Sequence, residues 1–118
     1  MDEMFKRIAV HDLLDLEKTL KQRKWQELRP RVHVSYFYRE NDDGMSAALL
    51  HYEADARVAA HEHIGYEHIF ILHGSQQDAN GIYKKGSLLI HSKDTIHDVY
   101  SKDGCLALAI WQNPVQFI

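Results

Sequence analysis

Cysteine is almost absent from this sequence. Cys105 stands alone among 118 residues, so no intramolecular disulfide can form and no disulfide framework holds the chain. Long apolar runs are missing as well. The longest, Leu106 to Trp111, is of strand length and falls far short of the ~18 residues that would span a bilayer. The opening Met-Asp-Glu-Met-Phe-Lys-Arg-Ile-Ala-Val puts charges where a signal peptide needs its apolar core. These absences set the expectation of a cytoplasmic protein with no membrane partner. Basic charge is not in excess either. Lys and Arg number 14 against 17 Asp and Glu, a net charge of −3, which argues against nucleic acid as the main partner. A hydrophobic fraction of 45% and a charged fraction of 26% exclude general disorder. The length fits one domain, since two independent cores need roughly 200 residues or more.

What the chain has in excess is histidine, nine in all, two of them in His61-Glu62-His63. Imidazole is the commonest neutral metal ligand and titrates nearest physiological pH. Composition alone therefore raises a metal site.

From Asp12 to about Gln22 the pattern predicts a helix. Asp12 is a fair N-cap, and Leu13, Leu16 and Leu20 recur on one face. Pro30 closes this N-terminal segment, residues 1–30, which is expected to pack over the rest of the molecule, residues 31–118. After Pro30 the period changes to two. Val32 to Tyr38 is rich in β-branched and aromatic residues and is followed by the turn signal Asn41-Asp42-Asp43-Gly44. Then come Ala47 to Tyr52, a short link, and Glu67 to Leu72 ending at Gly74. Asn80-Gly81 is the strongest hairpin signal. Ser87 to His91, Ile96 to Tyr100 and Cys105 to Trp111 complete seven or eight short strands, the pattern of an all-β sandwich or small barrel. Leu49, Ile69, Ile71, Leu89, Leu106, Leu108 and Ile110 are the expected core.

Alternate residues of a strand share a face, so His61 and His63 point to one side, and Glu67 is an even number of residues on. The three can converge if the chain turns at Ile64-Gly65-Tyr66. His97, after the turn-like Ser92-Lys93-Asp94, is a fourth candidate. Imidazoles with one carboxylate suit Zn, Fe, Ni, Cu or Mn. His11, His33, His51 and His91 show no such partner pattern, and His73 is ambiguous. His68 should face away from Glu67. Cys105 lies in an alternation with Ala107, Ala109 and Trp111, where a buried, inert thiol is expected. Tyr36, Tyr38 and Trp111 are candidates for the mouth of a barrel.

These residues resemble the cupin family, whose first motif is Gly-x5-His-x-His-x3,4-Glu-x6-Gly. Asp55 takes the place of the first glycine, and His61, His63, Glu67 and Gly74 fall at the other positions. The second motif, Gly-x5-Pro-x-Gly-x2-His-x3-Asn, is met by Gly86 and His97, with Ser92, Asp94 and Ser101 at the other three positions. The missing Pro and Gly leave the shape of the turn before His97 open. Within cupins the chain is similar to ChrR-like bacterial cupins, from Gly65 to Asp78 and again from Gly104 to Trp111.

The resemblance implies a single-domain jelly-roll β-barrel holding one divalent transition metal (Zn, Fe, Ni or Mn) through His61, His63, Glu67 and His97. It also implies a small-molecule ligand or substrate, and a homodimer that covers open sheet edges. Glu67 is the candidate catalytic residue, either a fourth ligand or a base. The expected function is metal-dependent chemistry on a small organic molecule, dioxygenase-like or of another Lewis-acid kind. The alternative is a zinc- or ligand-binding sensor module like the cupin of ChrR-type anti-sigma factors. With thirty residues before the first strand and no second cysteine, the zinc-binding helical module of those anti-sigma factors is not expected.

Overall fold

The structure, a computed structural model, describes residues 7–118. Its one helix, α1, runs from Leu16 to Gln22, and ten strands follow: β1 (Gln26–Arg29), β2 (Val32–Arg39), β3 (Ser46–Tyr52), β4 (Ala56–Glu62), β5 (Glu67–Asp78), β6 (Gly81–Lys84), β7 (Leu88–His91), β8 (Ile96–Ser101), β9 (Cys105–Trp111) and β10 (Gln116–Phe117). The helix starts later than the leucine pattern suggests. Asp12 takes a left-handed conformation (φ 57°), its carbonyl closes a turn on Asp15 N–H, and Asp15 becomes the N-cap. Asp15 accepts a hydrogen bond from Lys18 N–H at 3.1 Å and so satisfies one of the free first-turn donors. Three strands were not legible in the sequence. β1 lies before Pro30, β4 occupies the supposed link, and β10 is only two residues long.

All pairings are antiparallel, and the strands make two sheets that share β5. One sheet runs β1-β2-β3-β9-β5-β7, and the other β6-β5-β8-β4-β10. The first half of β5 pairs with β7 and β9, the second half with β6 and β8, so the strand bends from one sheet into the other. The corner falls at a register shift between Ile71 and His73, beside Gly74 at φ 77°. A Cβ at Gly74 would run into the carbonyl of Gly104, so only glycine fits. The two sheets curl against each other as a jelly-roll barrel.

Because side chains alternate across a sheet, two separate apolar layers result. Inside the barrel Val32, Val34, Leu50, Val58, Ile69, Ile71, Val99 and Ala107 pack together, with Cys105 among them. On the outer face Leu49, Leu72 and Leu106 are covered by Leu13, Trp25, Phe37 and Leu108. The N-terminal segment thus lies on the outside of its own sheet. Trp25 Nε1–H donates to the Leu20 carbonyl, and His73 Nε2–H donates to the Leu14 carbonyl at 2.7 Å. Of the expected core, Leu49, Ile69, Ile71 and Leu106 are buried, whereas Leu89, Leu108 and Ile110 are half-buried. Among the described residues no helix is long and apolar enough to cross a membrane.

Leu106 is fully buried at the seam between sheet and N-terminal segment. Leu106→Ala should cost about 2–5 kcal/mol, the transfer term plus the cavity left behind, as read by urea denaturation.

Candidate metal centre

Two rows of side chains face each other inside the barrel. On the first sheet, the register aligns His91 of β7 and Trp111 of β9 on either side of Glu67 of β5. On the second, it aligns Phe117 of β10 and His97 of β8 on either side of His61 of β4. His63 follows β4 directly and completes the group. Four imidazoles and one carboxylate converge in two overlapping sets of mutually close ligand atoms, His61–His63–His97 and Glu67–His91–His97. The ring centroids of His61 and His97 are 4.6 Å apart, and those of His63 and His91 are 4.8 Å apart.

Local irregularities do the aiming. In β4 the inward residues are Ala56 and Val58, so strict alternation would send His61 outward. A bulge between Val58 and His61 leaves Ala59 and Ala60 both exposed and turns His61 in. The Ala59 carbonyl then accepts a hydrogen bond from His61 Nδ1–H at 2.9 Å. The β5 corner inverts parity in the same way, so that Asp78 as well as Glu67 faces the interior. Asp78 Oδ2 lies 3.5 Å from His97 Nδ1, behind the ring. The turn before His97 forms without glycine. Asp94 takes φ 66°, a region aspartate tolerates, and its N–H bonds the His63 carbonyl at 2.8 Å. Asp55, at the other substituted glycine position, takes φ 67°.

The donors and acceptors point to a cation. His63 Nδ1 lies 3.1 Å from the Thr95 carbonyl and 2.9 Å from Thr95 Oγ1, whose own proton goes to the Ser92 carbonyl. Nδ1 therefore carries the hydrogen, and Nε2 presents a lone pair. By the same reasoning His61 presents a bare Nε2. Yet His63 Nε2 sits 3.2 Å from Glu67 Oε1, acceptor against acceptor. Buried His63 Nε2, His91 Nε2 and both ring nitrogens of His97 have no hydrogen-bond partner. An unsatisfied buried polar atom costs roughly 1–3 kcal/mol, so a cluster of them is poor structural glue and a good set of ligands. Glu67 is oriented by Trp111, whose Nε1–H donates to Oε2 at 2.6 Å and leaves Oε1 to the cluster.

Burial lowers the basicity of His61 and His91, and it drives His97 down to about 4, with His91 and His61 adding repulsion. Burial works to raise the Glu67 carboxyl, and the Trp111 indole N–H opposes it by stabilising the charged form.

His91 escaped sequence reasoning because Leu88-Leu89-Ile90 is uniformly apolar and hides which face His91 shares. Its signal was the register opposite Glu67. His68 lies on the other face of β5 and His73 anchors the N-terminal segment. His33 pairs with Glu53 at 2.7 Å, and His51 packs on Trp25 and His33. Cys105 is buried among apolar side chains, which push its thiol up to about 12, so it is no nucleophile.

His61, Glu67 and His97 of the cluster line a cavity of about 350 Å³ whose walls include Val32, Leu50, Val58, Ile69 and Val99. Tyr36 and Trp111 also line it; Tyr38 does not. The volume suits a small organic molecule.

His61→Ala combined with His63→Ala should abolish stoichiometric metal binding, measured by elemental analysis of protein purified without affinity-resin metal. His11→Ala should leave it unchanged. For chelator-treated protein the low His97 value sets the pH dependence. The unfolded imidazole protonates near 6.5 and the folded one only near 4, so the unfolded state binds more protons between those values. Thermal stability should therefore fall on acidification from about pH 6.5 towards 4, and a Tm that rises over that interval would contradict the burial of His97.

Comparisons with known proteins agree with this architecture. Three solved structures show the same fold at low identity. An acetylacetone dioxygenase from Acinetobacter johnsonii superposes with a TM-score of 0.74 at 13% identity, over 97% of this chain and 78% of that one. An RmlC-like cupin protein from Ralstonia eutropha JMP134 gives 0.71 at 20%, over 80% and 66%. A structure of Rhodobacter sphaeroides SigE in complex with the anti-sigma ChrR gives 0.68 at 18%, over 92% and 71%. The chain thus spans just under two thirds of the Ralstonia protein. No curated protein matches the sequence. The family model described as a ChrR cupin-like domain matches residues 15–115, nearly the whole chain, and the chain belongs to that family.

Proposed function

We propose that this cupin is a metal-dependent enzyme acting on a small organic molecule, with one divalent transition metal held by His61, His63, Glu67 and His97. The observation that carries this reading is the set of unpartnered, buried imidazole nitrogens beside a largely apolar cavity that His61, Glu67 and His97 line. A bound ion would supply Lewis acidity towards a substrate oxygen or, as iron, a redox centre for O₂. The chain's own groups do the rest. Thr95 and the Ala59 carbonyl fix the tautomers of His63 and His61, so both rings keep a lone pair towards the cavity. Trp111 holds the Glu67 carboxylate by one oxygen. The other oxygen can ligate, or accept a proton from a substrate carbon beside it. The apolar walls exclude water from that exchange. The likeness to an acetylacetone dioxygenase favours oxidative cleavage of a β-dicarbonyl.

The alternative is a zinc- or ligand-binding sensor. The family match and the likeness to the ChrR complex support it. The two readings diverge on metal removal. A catalytic site on a self-sufficient core leaves the metal-free protein folded, with some loss of Tm, because the inner and outer apolar layers do not use the ion. Circular dichroism of chelator-treated protein should therefore keep its β signal. Fe(II)-loaded protein should consume O₂ with a β-dicarbonyl compound. An unfolded apo-protein, together with no turnover by Fe-, Mn-, Ni- or Zn-loaded protein, would favour the sensor.

A further inference from the structure

Among the described residues, Arg29 is the cationic side chain of the cavity that has no hydrogen-bonding or ion-pair partner. It ends β1 opposite Val32, and Val32 points into the barrel, so the register puts the arginine on the inward face. Its guanidinium carbon sits 4.1 Å from the centroid of the Phe117 ring, and that ring lies 5.5 Å from His61. Phe117 is thus a spacer between the arginine and the metal centre. Three other arginines have polar partners, and Arg57 stacks on Tyr100 away from this cavity. Arg23 donates to Ser35 Oγ and the Tyr36 carbonyl, Arg31 to the Ala54 carbonyl, and Arg39 faces Asp42. Among the described residues no carboxylate lies within ion-pair distance of Arg29, and no acceptor takes its N–H groups. Its neighbours along the wall, Leu28, Val32 and Val58, offer none.

A half-buried guanidinium presents a planar fork of donors that matches a carboxylate in two parallel hydrogen bonds. Stacking on Phe117 holds the plane of that fork and leaves its edge free. We propose that Arg29 is a specificity residue which binds the carboxylate of a small organic acid, while a second oxygen of that acid faces the His61, Glu67 and His97 end. Within the carbonyl chemistry proposed above, the substrate class is therefore an oxo-carboxylic acid, a dicarbonyl that carries its own carboxylate. Only the partner of the second oxygen rests on the metal-enzyme reading; the carboxylate contact is Arg29's own.

Isothermal titration calorimetry of Zn-loaded and of chelator-treated protein with 4-oxopentanoate, and with its neutral amide of the same shape, tests this. The acid should bind about tenfold more tightly than the amide or better, since hydrogen bonds to charged groups are the stronger kind. Arg29→Met should remove the preference, with amide affinity, metal stoichiometry and circular dichroism unchanged. Arg29→Lys should restore part of it, because the charge returns without the fork. Equal binding of acid and amide, a preference that survives in Arg29→Met, or no binding of either at millimolar concentration would overturn the assignment. A preference for the acid in protein that never takes up stoichiometric metal would instead sink the metal-enzyme reading and leave Arg29 standing.

Discussion

Acceptor faces acceptor at the centre of this barrel, and much of the structure around it is arranged to maintain that opposition. His63 Nε2 and Glu67 Oε1 are 3.2 Å apart with no hydrogen between them once Thr95 has claimed the proton of Nδ1. In water such a pair would separate or bind solvent. Here Glu67 is tied from behind by Trp111, His63 is tied by Thr95, and both belong to segments hydrogen-bonded into the barrel. The repulsion is relieved by a positive charge between the groups, either a proton or a metal ion. The unpartnered nitrogens of His91 and His97, with the Nε2 that His61 turns away from the Ala59 carbonyl, favour the ion, because one proton satisfies one pair and an ion satisfies several.

That arrangement was partly visible in the sequence. The spacing His61-x-His63-x3-Glu67 implied a common face, and the cupin resemblance added His97. Two things were hidden. His91 reaches the site through strand register, a long-range property that no local pattern carries, and an apolar stretch in front of it masks its parity. Asp78 arrives because β5 changes parity at its corner, and a period-two reading carried past Gly74 assigns it to the wrong side. The strands themselves are legible where β-branched, aromatic or continuous apolar residues stand out between turn signals, as in β2, β3 and β9. They are hidden where a bulge breaks the period in β4, or where only three or two residues pair, as in β1 and β10. Helix α1 was found but began too early, because Asp12 and Asp15 are equally good caps by composition. Only the turn conformation of Asp12 separates them.

The glycine substitutions show that a motif records backbone geometry more than residue identity. Asp55 and Asp94 occupy places where the family pattern has glycine, and both adopt positive φ. Aspartate pays a modest conformational cost there and recovers part of it through side-chain bonding. Asp55 Oδ1, for example, accepts the Tyr100 hydroxyl at 2.8 Å. Gly74 has no such latitude, because the Gly104 carbonyl occupies the space where a Cβ would go. The conformational requirement is common to all three positions, and the steric one is unique to the barrel corner.

Stability and chemistry are divided between different parts of the chain. The outer layer of Leu49, Leu72 and Leu106 under Leu13 and Trp25, and the inner layer around Ile71 and Ala107, form without any group of the metal centre. Most ligands of that centre sit on β4, β5, β7 and β8 or directly after them, on strands paired along much of their length. The groups that shape the far end of the cavity, Arg29 and Phe117, come instead from β1 and β10, which pair over three and two residues. Short edge strands contribute little to cooperative stability, so side chains on them can be exchanged at small cost to the fold. The geometry of the His/Glu cluster is thereby insulated from changes in the residues at the far margin of the cavity. A barrel built this way can keep its cluster of imidazoles and carboxylate fixed while the lining of its cavity varies with a few residues at its least stable margins.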